Sequence, residues 1–342
     1  MKILHLLKST DYSGAENVVI SIMQHCTENN MVYASPNGSI KKIVQENNLT
    51  FYTLKAVNIR SIRQAIKEIK PDIIHAHDFS MSTLAAFSTH KIPIIAHLHN
   101  NPLWSKKICC KTMLFLMSVH RIAKIITVSP AVEEDFIFSQ IFASKIIVLG
   151  NVVDTDKVRK KAEEECETEQ SDIIFIGRLT QQKQPLLFCQ IIKEIQKKIP
   201  KIKAIMIGEG DLKTETEKYV LENNLSENIK LLGFKENPYV YLKNSKFLIM
   251  PSAWEGFGLV AIEALCLGKP VICSGAGGLI NIIDSTCGAV CKSTNEYVEM
   301  VLQMIYQSSA YKRASDAAIV KAKEFCDWDG YIEKLLNIYN NV

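Results

Sequence analysis

Short apolar runs alternate along the whole chain with stretches of helical spacing. Residues 3–7, 73–76, 92–98 and 124–128 are compact apolar runs with the length of buried strands. After a break the pattern resumes at 173–176, 204–207, 247–250 and 270–273. Between these runs, residues 15–25, 59–69, 185–199 and 259–267 repeat apolar side chains at the three- and four-residue spacing of a helix with one buried face. Strand and helix taking turns in two successive halves predict an α/β protein with two parallel, doubly wound sheets. The break is residues 157–171 (KVRKKAEEECETEQS), basic then acidic and without a strand pattern, which reads as a solvated helix or a linker. The expected domains are therefore residues 1–165 and a second beginning at 166.

The length of 342 residues fits two domains of ordinary size. A hydrophobic content of 47% with 22% charged residues is that of a globular protein in water. No apolar run approaches the roughly 18 residues of a membrane span, and the opening MKILHLLK is too short and interrupted for a signal peptide, so a cytoplasmic location is expected. The net charge of +4 is uneven: residues 1–165 hold 20 Lys and Arg, 15 Asp and Glu, and all eight histidines. So small a surplus argues against a nucleic-acid binder, but it suits one face resting on anionic lipid. The ten cysteines form no Cys-x-x-Cys pair, and they read as small hydrophobes in a reducing compartment.

Chemistry concentrates after the run that ends at Met250. The segment Pro251-Ser252-Ala253-Trp254-Glu255-Gly256-Phe257-Gly258-Leu259-Val260 predicts a strand, a glycine loop and a helix opening near Gly258, whose free amides from Phe257 to Val260 suit a diphosphate. Glu255 and Glu263 are eight residues apart, about 12 Å along a helix, a separation that suits two parts of one extended ligand and not a shared-proton pair.

Glu-x7-Glu after Pro-Ser, followed by Gly268-Lys269-Pro270-Val271-Ile272 and the loop Ser274-Gly275-Ala276-Gly277-Gly278, resembles the GT-B retaining glycosyltransferases of family 4 over nearly the whole chain. The resemblance implies two facing Rossmann-like domains with a cleft between them: an acceptor domain at 1–165, a nucleotide-sugar domain at 166–325, and a terminal helix, 326–342, crossing back to the first. It implies a hexosyltransferase with a nucleotide-sugar donor, most often a UDP-sugar, needing no metal or other cofactor. Gly177-Arg178 through Lys183 matches the family's Arg and Lys that take the leaving diphosphate; Gln184 stands where a glycine is usual. Gly208-Glu209-Gly210 matches its strand-end turn beside the base. The third glycine of a dinucleotide fingerprint is missing, which counts against an NAD-dependent dehydrogenase.

In the first half, Ser13-Gly14-Ala15-Glu16 resembles the family's loop over the diphosphate, with Ser13 in place of its first glycine. His99, in His97-Leu98-His99-Asn100, matches the histidine beside the transferred sugar, although Asn100 replaces the usual aspartate. His75-x-His77 and His97-x-His99 could suggest zinc, because alternate strand residues share a face, but beyond Asp78 no carboxylate or thiol stands at ligand spacing and no metal is expected. The candidate catalytic residues are thus His99, Glu255, Arg178 and Lys183. Donor binding falls to Gly14, Gly177, Arg178, Lys183, Gly208, Gly210, Glu255, Gly256, Phe257, Gly258, Leu259, Val260 and Glu263.

Residues 103–124 set Trp104, Lys106, Lys107, Lys111, Arg121 and Lys124 around an apolar stretch, which reads as an interfacial amphipathic helix or as a packing helix with a basic outer face. The acceptor implied is a polyprenyl-diphosphate-linked glycan for a capsule or exopolysaccharide, with the enzyme peripheral on the inner membrane face. Two other readings stay open: a nucleotide-sugar 2-epimerase on the same fold, and a binding protein that keeps the nucleotide site without turnover.

Overall fold

A computed structural model describes residues 1–165, 168 and 170–342. The chain divides into two compact units, Met1–Val152 with Trp328–Val342, and Val153–Asp327. The first unit carries β1 (Lys2–Leu6), β2 (Asn30–Ser35), β3 (Thr50–Thr53), β4 (Ile73–His77), β5 (Ile94–Leu98), β6 (Lys124–Thr127) and β7 (Ile146–Val148). All pair in parallel, in the order β3-β2-β1-β4-β5-β6-β7. The second unit carries β8 (Ser171–Ile176), β9 (Ala204–Ile207), β10 (Ile229–Leu231), β11 (Ser245–Met250), β12 (Val271–Ser274) and β13 (Gly288–Cys291), also all parallel, in the order β10-β9-β8-β11-β12-β13. Each sheet therefore reverses its winding once, between β1 and β4 and between β8 and β11. Loops diverge outside the carboxyl ends of the strands at such a point, and that is where ligands of this architecture bind.

The strands the pattern named are present, and the central ones match it best. β4 and β5 are buried at every residue, so they show as unbroken apolar runs. Strands β3, β7, β10 and β13 lie at the sheet edges, where three or four half-covered residues leave no clear pattern, and β2 was not named either. In the second core, Phe188, Ile191, Ile192 and Ile195 of the helix Pro185–Gln196 are fully buried in one cluster with Phe247 and Ile249 of β11. Each such side chain contributes about 1.5–3 kcal/mol, which makes the strand ends a stiff base for the loops.

The division falls at 152/153 and not at 165. Asp154 caps the helix Thr155–Ala162, accepting from Lys157 N at 2.8 Å. The helix buries Val158 and Ala162, and Arg159 Nε donates to Cys266 O at 3.4 Å. The basic half of the charged run is thus a helix of the second unit; of the rest, residues 166, 167 and 169 lie outside the described residues. The last helix, Trp328–Asn340, belongs to the first unit, burying Tyr331, Leu335, Ile338 and Tyr339 on one stripe, with Trp328 stacked on His25 at 4.1 Å. The described cysteines are all free and six are buried, and burial pushes the Cys189, Cys266 and Cys273 thiols up to about 12. Among the described residues no helix is long and apolar enough to cross a membrane.

Candidate functional site

The loops leaving β8, β9 and β11 bring together most of the residues singled out in the second half. Gly208, directly after β9, approaches the β8 loop so closely that a Cβ there would stand 1.9 Å from Gly177 O, and its φ is +143°. Only glycine fits. Leu179 N then donates to Glu209 O, and Leu212 N to Leu179 O, both at 2.9 Å, which locks the turn at Gly210 against the β8 loop. Gln182 joins this loop to the next: it donates to Trp254 O at 3.1 Å, and its own carbonyl accepts from Ala253 N at 2.8 Å.

Two cations stand on this frame in different surroundings. The Arg178 side chain is exposed and has one long hydrogen bond, 3.4 Å to Gln182 Oε1. Lys183 is ion-paired with Glu255, and their side chains are only 15% and 11% exposed. Ser252 Oγ adds a 3.4 Å contact to the same carboxylate. Gln184, where the family resemblance expects glycine, takes φ +50°, so the left-handed turn is kept and the helix from Pro185 starts in place. The side chain bears a cost of about 1–2 kcal/mol for it.

The loop carrying Glu255 is backed by the glycines that follow β12. A Cβ on Gly277, at φ +53°, would meet Glu255 O at 1.7 Å, and Gly278 N donates to the same oxygen at 3.2 Å. Gly256 and Phe257 are buried, and Gly258, at φ +110°, opens the helix Leu259–Cys266. Leu259 and Val260 are its first two residues, so their amides have no acceptor within the helix and lie at its positive end. Glu263 lies further along, 8% exposed, and accepts from Tyr239 OH at 3.0 Å. Burial pushes its carboxyl up to about 7, against the pull of the Tyr239 hydrogen bond. The two glutamates thus serve separate neighbourhoods, one cationic and one neutral.

The first unit holds Gly14 and His99. Ser13 is extended, at φ −150°, and its hydroxyl donates to the buried Glu16 carboxylate, so serine suits this backbone as the cap of the helix Gly14–His25. Asp78, just past β4, takes φ +97° and ψ 166°, a region that favours glycine and costs other residues about 1–3 kcal/mol. Three contacts hold it: its amide donates to His97 O at 2.9 Å, Oδ1 accepts from Met81 N at 2.8 Å, and Oδ2 pairs with Lys8 at 2.9 Å.

Beside Asp78 lies a cluster that the spacing of the histidines only hinted at. Strand register sets His5 against His75 and His77 against His97, so five imidazoles share one face of β1, β4 and β5. They form two rows. In one, His5 Nδ1 meets His77 Nε2 at 3.0 Å, and His77 Nδ1 meets His99 Nε2 at 2.9 Å. In the other, Tyr339 OH meets His75 Nδ1 at 2.7 Å, and His75 Nε2 meets His97 Nδ1 at 3.2 Å. Burial lowers the pKa of all five, to about 3 for His5 and His99, so the rows are neutral at pH 7. Ligand atoms of His5, His75 and His77, and of His77, His97 and His99, lie within 4.8 Å of one another, close enough to raise the question of a metal. The two rows stack on each other, His75 on His77 with ring centroids 4.4 Å apart and His97 on His99 at 4.0 Å.

The helix Cys110–Val119 buries Thr112, Phe115, Ser118 and Val119. Its outer side and approach leave Leu103, Ile108, Met113, Leu114 and Met117 between 41% and 71% exposed. Lys111 lies over the Trp104 ring at 5.7 Å, and Lys106 pairs with Asp135 at 2.8 Å. Three site features had no signal in the spacing of residues: Tyr239 on Glu263, Gln182 joining two loops, and His5 in the histidine row.

Comparison with known proteins agrees with this fold. The profile described as "Glycosyl transferases group 1" matches residues 156–321, and that described as "Glycosyltransferase Family 4" matches residues 12–157. An uncharacterized glycosyltransferase of Methanocaldococcus jannaschii is 31% identical over 232 residues, 62% of this chain and 57% of that one. The N-acetylgalactosamine-N,N'-diacetylbacillosaminyl-diphospho-undecaprenol 4-alpha-N-acetylgalactosaminyltransferase of Campylobacter jejuni is 31% identical over 187 residues, 53% of this chain and 50% of that one. This chain therefore aligns with between 50% and 57% of the length of these two relatives. Among solved structures, Anabaena HepE in complex with UDP and glucose superposes with a TM-score of 0.87 at 19% identity, covering all of both chains. With two parallel doubly wound units, and with the two profiles together running from residue 12 to 321, the chain belongs to the group 1 glycosyltransferases of family 4, which have the GT-B fold.

Proposed function

We propose that this protein transfers a hexose or N-acetylhexosamine from a UDP-sugar to a polyprenyl-diphosphate-linked glycan, with retention at the anomeric carbon and without a metal ion. One observation carries the reading: at the β8/β11 reversal, Arg178, Lys183 and the helix-opening amides of Leu259 and Val260 stand on one interlocked frame, beside two buried glutamates. Leaving-group charge grows on the diphosphate as the glycosidic bond breaks. A guanidinium fork, an ammonium and helix amides fixed beforehand would stabilise it. Glu255 binds the donor sugar and Glu263 the ribose hydroxyls. His99 hydrogen-bonds the transferred sugar, and Gly14 lets its loop approach the diphosphate. The acceptor hydroxyl attacks from the face the diphosphate leaves, and a departing phosphate oxygen takes its proton. The names of two similar proteins support the substrate classes: one acts on a diphospho-undecaprenol acceptor, and the other was crystallised with UDP and glucose.

Calorimetry with UDP, GDP and ADP in EDTA tests the site. UDP is expected to bind, and Glu263→Ala to weaken it by at least about tenfold, because hydrogen bonds to a charged group are worth about 1.5–3 kcal/mol. A carboxyl near 7 must ionise to accept two hydroxyls, so the affinity of the wild type for UDP should be about tenfold lower at pH 6 than at pH 8 in excess of any slope left in Glu263→Gln. Binding that appears only with a divalent cation would overturn the metal-free reading. Turnover of the donor to free UDP and an epimerised sugar without acceptor would assign an epimerase instead, and an inverted product would refute retention.

The acceptor's lipid places the enzyme at a membrane surface, and the exposed apolar side chains around Ile108 and Met117, with Lys107 and Lys111 nearby, form the contact. Co-sedimentation with phosphatidylglycerol vesicles is expected, and it should be lost in Ile108→Glu/Met117→Glu. Equal recovery in the supernatant with and without vesicles would exclude the membrane contact.

A further inference from the structure

The row His5–His77–His99 can be protonated in only two ways. Each neutral imidazole carries one N–H and one lone pair. With both N···N contacts made, the protons point either all toward His99 or all toward His5. In the first case His99 carries its proton on Nδ1, and His5 Nε2 is a bare lone pair. In the second, His5 Nε2–H is a donor and His99 Nδ1 is the lone pair.

The two ends of the row differ. His5 is completely buried, and its Nε2 has no partner among the described residues. His99 Nδ1 also has no partner among the described residues and is itself covered, but His99 is the one residue of the row that is not wholly buried, and it stands just past the end of β5 in the loop that follows. A buried N–H left without an acceptor is rarer and costlier than a lone pair left without a donor. A donor at the His99 end, by contrast, can be satisfied by a ligand. The second row lies flat against the first and removes the alternative of a side-on partner for His77.

The geometry points to His5 and His77 as positioning residues that hold His99 as its Nδ1–H tautomer, so that His99 presents a hydrogen-bond donor to an oxygen of the transferred sugar. The sugar as target rests on the function proposed above; the tautomer does not. One consequence is chemical: a nitrogen that already carries the proton cannot take the acceptor hydroxyl's proton, so His99 positions the sugar and is not the base.

Nitrogen-15 NMR of protein labelled in its histidine rings tests this at pH 7.5. In the wild type, His99 should show a protonated Nδ1 and an unprotonated Nε2. His77→Phe, which removes the acceptor-side lock, should shift His99 toward the Nε2–H form favoured in water. It should lower kcat about tenfold, as loss of an orienting partner does, with the donor KM unchanged. His77→Gln, whose amide can donate to the same nitrogen, should restore both. Nε2–H in the wild type, or an unchanged tautomer in His77→Phe, would overturn the proposal. So would stoichiometric displacement of the row's lone-pair resonances by added Zn²⁺. If His77→Phe does not fold, the wild-type spectrum decides alone. An Nδ1–H tautomer together with full transfer activity in His99→Ala would reject the sugar contact and leave the tautomer assignment standing.

Discussion

Lys183→Ala and Arg178→Ala are expected to lower kcat by similar factors, about 10²–10³ each, and to differ sharply in stability. Both remove a cation proposed to stabilise the leaving diphosphate. Only Lys183 is ion-paired with a carboxylate that is itself 11% exposed. Deleting it leaves Glu255 buried without its cation, an error that costs roughly 3–5 kcal/mol at a well-buried pair. Arg178 is exposed and, among the described residues, holds a single 3.4 Å bond to Gln182, so its loss should move stability by less than about 0.5 kcal/mol. Lys183→Ala/Glu255→Ala should recover most of the lost stability and none of the activity. Urea midpoints and kcat, measured on the same four proteins, check this. Transfer within threefold of wild type in Lys183→Ala would remove the lysine from the mechanism. Equal destabilisation by both single variants would mean that the pair is not the buried contact described.

What was legible in the sequence is what burial on both faces makes legible. β4 and β5 announce themselves because every residue is covered, and the glycine loop before Leu259 because Gly258, at φ +110° and with a Cβ position 2.7 Å from the Leu279 side chain, leaves no room for another residue. Pairings across the sheet were not legible. Lys183 and Glu255 are 72 residues apart, and only the adjacency of β8 and β11 joins them. Two His-x-His spacings gave the face of each strand, but the rows need the order β1-β4-β5 and its register, which bring in His5. The domain boundary was misplaced for a different reason. Asp154 as cap, Asp156 in the first turn and Arg159, Lys160 and Lys161 in the last match charge to the helix dipole, a signal that looked like linker charge.

Lowering the pH from 7.5 to 5.5 is expected to remove up to about 5 kcal/mol of the first unit's stability and little of the second's. His5, His75, His77 and His97 are at most 3% exposed, and burial holds each well below its ordinary value, His5 at about 3. In the unfolded chain the same rings titrate near 6.5. Below that value the unfolded state binds protons that the native state refuses, so the stability is complete above about 6.5 and falls as the pH drops toward 3. One pH unit below 6.5, each ring accounts for a little over 1 kcal/mol, and four give at most about 5 kcal/mol, against about 5–15 for a whole domain. The second unit contains no histidine, and its Glu263, raised to about 7, is relieved by acid and not strained by it. Tryptophan reports the units separately: Trp104 and Trp328 lie in the first and Trp254 in the second. Urea unfolding of Trp254→Phe, followed by fluorescence at pH 7.5, 6.5 and 5.5, should show a midpoint that falls with each step. The doubly substituted Trp104→Phe/Trp328→Phe protein should show a nearly constant one. Parallel curves from the two proteins would mean that the histidine rows are open to protons in the native state, and that their neutrality is not what holds the face of β1, β4 and β5 together.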